Sequence, residues 1–259
     1  MLFRSELVTV YASGDQKVGA VGGSGDLNSL QFDGFSHDAW HTIGCSLVRE
    51  TSESIPDPVS VVMMSDAVPE TITLEMMRES LYAAVVCDAL DGLGYTNQSP
   101  NVPLPPLTVE TTLVGRCKTT LWGDMYHADP SPYELELLAV DGCQADDVLI
   151  AAAGGSERSG IWGELLSTAA TNAGCVGAIV DGAVRDIRQM AEMGFPVFAR
   201  SRNIYDSKDR QRVVDIDVTV EIDGVRFAPG DLVIADVDGV VVVPSEIQEQ
   251  AIQAAWQKV

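Results

Sequence analysis

The 259-residue chain carries 38 acidic against 16 basic residues, a formal charge of −22, and only four of its bases are lysines (Lys17, Lys118, Lys208 and Lys258). Such a surface repels phosphate backbones and disfavours nucleic-acid partners; it fits either ordinary cytoplasmic solubility or the acidic, lysine-poor surface of a halophilic source. Hydrophobic residues at 46% support a sizeable core, while no apolar run approaches the ~20 residues of a bilayer span and the start of the chain lacks a secretory pattern, so a soluble cytoplasmic protein without a membrane partner is expected.

Residues 1–64 are rich in Gly, Ser and Asp and show no sustained apolar period. Gly19-Ala20-Val21-Gly22-Gly23-Ser24-Gly25-Asp26 reads as turn and linker chemistry, not as a dinucleotide fingerprint, because no apolar strand feeds it and no helical pattern leaves it. Residues 1–64 therefore read as an atypical N-terminal extension, either disordered or the product of an upstream start assignment, before a single domain over 65–259. His37 and His41 in the extension have zinc-like i, i+4 spacing but no third ligand.

From Thr71 the pattern becomes regular. Thr73 stands before a helix whose apolar residues Leu81, Val85 and Ala89 recur at helical spacing up to Gly92. A proline-rich connector over 100–106 leads to a strand over 113–121. Ser131-Pro132 then predicts an N-cap with proline at the first helical position, for a helix running to about Val140. Residues 147–152 read as a buried strand. A glycine-bearing loop over 153–162 follows, then a helix over 163–172, a strand over 176–180, a helix over 184–193 and a strand over 196–198. The end is rich in strands: 213–222, a turn at Asp223-Gly224, 232–236 with 240–243, and a helix from Ser245. Asp236 and Asp238 lack the alternating ligands of a calcium loop and read as a turn between strands. Alternating helices and strands closed by a hairpin give a mixed α/β domain. The five cysteines (Cys45, Cys87, Cys117, Cys143, Cys175) form no C-x-x-C pair and read as reduced, mostly buried small side chains.

Two pieces carry chemistry. Gly163-Glu164-Leu165-Leu166 opens a helix out of the glycine-bearing loop, where backbone N–H groups lack intrahelical partners and attract anions. Val184-Arg185-Asp186 sets a permanent cation beside a carboxylate just after an apolar strand. Helix start, Arg and Asp together suit a small carboxylate-bearing substrate held against a hard divalent cation, and point to an enzyme.

The stretch from Trp162 through Gly163-Glu164-Leu165-Leu166 to Asp181-Gly182-Ala183-Val184-Arg185-Asp186 and Gly194-Phe195-Pro196-Val197-Phe198-Ala199-Arg200 resembles the RraA-like family. So does Pro229-Gly230-Asp231 with Asp238-Gly239-Val240-Val241-Val242-Val243-Pro244. That family includes 4-hydroxy-4-methyl-2-oxoglutarate aldolases with oxaloacetate decarboxylase activity and the regulator of ribonuclease activity A. The resemblance implies a three-layer β/β/α fold like that of the swivelling phosphohistidine domain. It implies Asp186 as ligand of a divalent cation, Mg²⁺ or Mn²⁺, which needs only one or two protein carboxylates. Arg185 would bind substrate carboxylate or enolate oxygen, the amides of Leu165 and Leu166 would bind the substrate carboxylate, Gly163 would open that helix, and Glu164 would face a water on the metal. The implied reaction is C–C cleavage of a short 2-oxo acid or diacid to pyruvate, with a non-catalytic, protein-binding regulator as the alternative. A homotrimer, or a hexamer of two trimers, is implied as well. The aldolases carry a longer C-terminal tail that offers an acidic residue to a neighbouring subunit; with the chain ending at Val259, decarboxylation is the more expected of the two activities.

Overall fold

The computed structural model describes residues 7–12, 16–22 and 71–259, and the chain divides into two units, Met1–Ala67 and Val68–Val259. In the first, β1 (Leu7–Ala12) and β2 (Gln16–Gly22) pair as an antiparallel hairpin. Gly19 to Gly22 are therefore strand rather than linker, held by backbone pairing that apolar alternation does not reveal. Outside that hairpin, the reading of residues 1–64 as a disordered or mis-started extension lies outside the described residues, as do His37, His41 and Cys45.

The second unit begins with two helices where the sequence pattern suggests one: α1 (Leu74–Ser80) and α2 (Ala83–Gly92), separated by extended Leu81 and Tyr82. Thr73 caps α1 through Met76 N, as expected. The break is stabilised from far along the chain, because Asp236 Oδ2 accepts the Ala83 N–H at 2.7 Å and so caps α2. Local periodicity carries no trace of such a cap.

The next elements are β3 (Leu113–Asp124), α3 (Glu134–Asp141), β4 (Asp147–Ala152), β5 (Gly160–Trp162), α4 (Glu164–Asn172) and β6 (Gly177–Val184). They are followed by α5 (Ile187–Glu192), β7 (Val197–Arg202), β8 (Gln211–Ile216), β9 (Val220–Ile222), β10 (Val225–Phe227), β11 (Leu232–Ala235), β12 (Val240–Val243) and, after a 3-10 turn, α6 (Gln248–Trp256). β3 is the spine of the sheet. Arg116 pairs with Asp147 on one edge and Leu232 on the other, and Thr120 with Ala151 and Ile216. β4 thus holds one edge of β3, while β11 and β8 share the opposite edge. Beyond β4 the sheet continues in parallel through β6 to β7, with β5 also parallel to β6.

Alternation sorts the side chains into layers. Val148, Ile150, Val233 and Val242 face the β9–β10 hairpin through Ile222 and Phe227. The residues between them turn to the helices: Leu232, Ile234 and Val241 meet α1, α2 and α6, and Leu149, Ala151 and Val180 meet α3, α4 and α5. Hairpin, central sheet and helices make the three β/β/α layers that the resemblance implied. Among the described residues no helix is long and apolar enough to cross a membrane. Cys117, Cys143 and Cys175 are buried, Cys87 is partly so, and all four are free thiols.

Several boundaries differ from the sequence reading. β6 does not stop at Val180 but runs buried to Val184. Asp181-Gly182 is a bulge within the strand: the register shifts between Val180 and Ala183. The Asp181 carboxylate is satisfied there by Arg200 and by the Gly155 N–H. The expected strand over 213–222 is two strands, with Asp217 in the left-handed region at φ 53° between them. Residues 160–162, read as loop, form β5. The N-cap of α3 is Tyr133 and not Ser131, whose carbonyl accepts the Glu134 N–H instead. The turn at Asp223-Gly224 falls where expected, joining β9 to β10.

Candidate functional site

Strands β5, β6 and β7 run in the same direction, and Trp162, Val184 and Arg202 stand abreast near their carboxyl ends. Ligands of open parallel sheets bind beyond such ends. A cavity of about 230 Å³ lies there, bounded by Gly163, Leu165 and Leu166 after β5, Arg185 and Asp186 after β6, Asp206 and Ser207 after β7, and Tyr133 and Glu136 at the start of α3.

Arg185 is fixed at its backbone and along its stem. Its N–H donates to Trp162 O at 2.9 Å. A Cβ on Gly160 would stand 3.0 Å from Arg185 Cβ, and one on Gly163 would stand 3.1 Å from Arg185 Cγ and 2.6 Å from Asp186 Oδ2. Gly163 is in extended backbone that any residue adopts, so its requirement is space alone. Gly163→Ala is expected to push Asp186 and Arg185 out of position while leaving the fold in place. The checks are a circular dichroism spectrum matching wild type and, for the activity proposed below, a kcat/KM at least about tenfold lower, the scale on which small misplacement of reacting groups acts.

The Arg185 guanidinium spans two carboxylates, with Nη2 2.8 Å from Asp206 Oδ2 and Nε 3.7 Å from Asp186 Oδ2. Asp186 adopts the left-handed region at φ 57°, which Asp tolerates better than most residues. Its Oδ2 accepts the Glu164 N–H at 3.3 Å, tying the end of β6 to the start of α4. Its Oδ1 has no donor among the described residues, and its side chain is 41% exposed. The Leu165 and Leu166 amides likewise have no acceptor among the described residues.

The opposite wall is Tyr133, Asp206 and Glu136. Tyr133 also sits in the left-handed region, at φ 74°, a conformation that is strained for a bulky residue and tends to persist where surroundings enforce it. Its hydroxyl donates to Asp206 Oδ1 at 2.7 Å, and the Lys208 N–H donates to the same oxygen at 2.8 Å. Burial, followed by the hydrogen bond to Asp206, pushes the Tyr133 hydroxyl up to about 12. Asp206 moves down: burial alone would raise it, but the Tyr133 hydroxyl, the Lys208 amide and Arg185 together outweigh that effect. Glu136 goes the other way, pushed up to about 7 by burial and then by the charge of Asp206, against the pull of Arg185. One wall of the cavity thus holds an ionised carboxylate beside a carboxyl group that retains its proton close to neutral pH.

Gly163, Leu165, Leu166, Arg185 and Asp186 all meet at this cavity, as the sequence reading placed them. Glu164 stands at its edge. Its backbone N–H serves Asp186, but its carboxylate accepts from Thr168 Oγ1 at 3.3 Å, one turn further along α4, and does not line the cavity. Tyr133, Glu136 and Asp206 were not anticipated. The available signal for Asp206 was position, a polar loop directly after a parallel strand. Asp236 and Asp238 form the β11–β12 turn, where Asp236 Oδ1 accepts the Asp238 N–H at 2.9 Å. As for the implied cation, the described residues contain no cluster of three or more His, Cys, Asp or Glu suited to hold a metal ion by themselves. A hard cation that takes one protein carboxylate and completes its shell with water and substrate oxygens fits the exposed Asp186 Oδ1.

Fold and site together define a mixed α/β protein with a cavity lined by Arg185, Asp186 and the start of α4 at the carboxyl ends of parallel strands. The RraA-like family model, described as Aldolase/RraA, matches residues 83–242, and the chain belongs to that family. A Halalkalibacterium halodurans protein named "Putative 4-hydroxy-4-methyl-2-oxoglutarate aldolase" is 34% identical over 175 residues, covering 67% of this chain and 77% of that protein. Protein DlpA of Legionella pneumophila is 25% identical over 203 residues, 76% of this chain but only 31% of its own length. The crystal structure of Streptomyces coelicolor RraAS2, described as an unusual member of the RNase ES inhibitor RraA protein family, superposes with a TM-score of 0.63 at 27% identity, covering 73% of this chain and 95% of that one.

Proposed function

We propose that this protein is a divalent-metal-dependent lyase that cleaves a C–C bond of a short 2-oxo acid or diacid to give pyruvate, as a 4-hydroxy-4-methyl-2-oxoglutarate aldolase, an oxaloacetate decarboxylase or both. The observation that carries this reading is the meeting of Arg185 and Asp186 with the unpaired amides of Leu165 and Leu166 beyond the ends of β5 and β6. Asp186 would hold Mg²⁺ or Mn²⁺. When bound, the cation supplies Lewis-acid polarisation of the keto group.

The protein's own groups do the remaining work. The α4 amides and the helix start bind and orient the substrate carboxylate. Arg185, already charged and held by Asp206, stabilises the negative oxygen that develops as the C–C bond breaks, without reorganising at that moment. Retro-aldol cleavage and β-decarboxylation leave the same pyruvate enolate, so one arrangement serves both. The name carried by the Halalkalibacterium relative supports the aldolase reading.

In this reading the active form is a homotrimer or a hexamer in the cytoplasm. Leu165, at 75% exposure beside the pocket, leaves the outer wall open to water, and a neighbouring subunit would cover it. The test is pyruvate release from oxaloacetate and from 4-hydroxy-4-methyl-2-oxoglutarate by purified protein, with Mg²⁺, with Mn²⁺ and with chelator. Chelator-sensitive pyruvate formation above the rate of the metal alone is the expected result. Its absence with both substrates would favour a non-catalytic, protein-binding role, like that of the RraA branch of the family.

A further inference from the structure

Glu136 is the least explained group in the cavity wall. It sits in the first turn of α3 and is only 8% exposed. Even so, among the described residues its carboxyl makes no hydrogen bond and no ion pair. Its oxygens are not among the fully enclosed, unpartnered polar atoms of the described residues, so this mostly buried side chain keeps its carboxyl in contact with water in the cavity, where a ligand's polar group can replace that water. Its one open direction is the cavity it lines. Arg185, the cation whose charge acts on it, is committed to Asp206 at 2.8 Å, so Glu136 is not the arginine's partner.

We propose that Glu136 is a further substrate-contacting residue, whose carboxyl group hydrogen-bonds the end of the substrate distal to Asp186 and selects for an acceptor there. This inference rests on the 2-oxo acid reading. With the keto and adjacent carboxylate oxygens at Asp186 and the α4 amides, the remainder of the molecule extends across the cavity toward the first turn of α3. Two features equip Glu136 for that contact. Burial and the neighbouring Asp206 charge keep it protonated up to about pH 7, so it has a proton to donate. A carboxyl O–H donating to a carboxylate also makes one of the stronger hydrogen bonds available to a side chain. The ionised Asp206 alongside is saturated by Tyr133, Lys208 and Arg185, leaving Glu136 as the donor on this wall. The pocket would therefore favour diacids over pyruvate itself.

The experiment compares two non-cleaved probes, pyruvate and 2-oxoglutarate, by calorimetry with Mg²⁺ present. Wild type is measured beside Glu136→Gln, which keeps a neutral donor, and Glu136→Met, which keeps the length and removes the polar atoms. Glu136→Met is expected to weaken 2-oxoglutarate by about tenfold or more, as loss of a charge-assisted hydrogen bond does, and to leave pyruvate within about twofold. Glu136→Gln should retain most of the preference. Thermal melts report whether each variant is folded, and if Glu136→Met is not, Glu136→Ala takes its place. Equal weakening of both probes, or no change in either, would show that Glu136 does not contact substrate. If wild type binds neither probe, the 2-oxo acid reading fails and this assignment fails with it. Binding of both by wild type, with no discrimination lost in the Met variant, overturns the Glu136 assignment alone.

Discussion

Asp186→Asn is expected to lower metal-dependent turnover by about 10²–10³-fold, the scale seen when one preorganised electrostatic contact to a transition state is removed. Asparagine is the cleaner substitution for a structural reason. Asp186 lies at φ 57°, a region that Asn tolerates and that costs most L-residues about 1–2 kcal/mol. Its amide oxygen can still accept the Glu164 N–H that joins β6 to α4. Only the negative charge is lost, so a thermal melt close to that of wild type should accompany the loss of rate. Asp186→Ala adds backbone strain and removes the link to α4, and should lose both activity and some stability. The comparison is made by steady-state rate against Mg²⁺ or Mn²⁺ concentration. An Asn variant with full activity and an unchanged metal requirement would remove Asp186 from the metal assignment.

Some parts of this site can be read from the chain, and others cannot. Gly163, Leu165, Leu166, Arg185 and Asp186 belong to two short segments whose local chemistry is legible: a helix opening from a glycine-bearing loop, and an Arg-Asp pair following an apolar strand. Tyr133, Glu136 and Asp206 are different. They reach the cavity only because α3 packs on the sheet beside α4 and because β7 extends to Arg202. The same reason separates correct boundaries from incorrect ones. β4, β12 and the Asp223-Gly224 turn are set by local pattern. The break before α2 and the continuation of β6 through Asp181-Gly182 depend on Asp236 and Arg200, which are far off in sequence. Ser131-Pro132 is a sound local cap signal, yet the helix starts later, at a Tyr133 whose hydroxyl is held by a carboxylate 73 residues away. Glu164 shows the converse: its place at the helix start was legible, but the direction of its side chain, toward Thr168, was not.

Arg185→Lys is expected to be nearly as damaging as Arg185→Ala, with both lowering kcat/KM by about 10²–10³-fold. The guanidinium reaches Asp206 with Nη2 and lies over Asp186 with Nε, a two-sided arrangement that a planar fork supports and a single ammonium cannot reproduce. Its stem is confined as well, since the close approach of Gly160 and Gly163 to Cβ and Cγ sets the line along which the side chain leaves the strand. A lysine following that line can meet Asp206 or the substrate oxygen, but not both. Replacing the arginine also disturbs the opposite wall, because its charge is one of the influences that keep Asp206 ionised and hold Glu136 down. In Arg185→Ala both carboxyl groups should therefore titrate at higher pH, and the pH profile of any residual activity should shift upward along with its loss of height. Asp206→Asn separates the two effects. It removes the anchor but leaves the guanidinium, and should reduce kcat/KM less than either Arg185 variant. A Lys variant with near-wild-type kcat/KM would reduce Arg185 to a general source of positive potential. The two-sided geometry at the end of β6 would then be structural rather than catalytic.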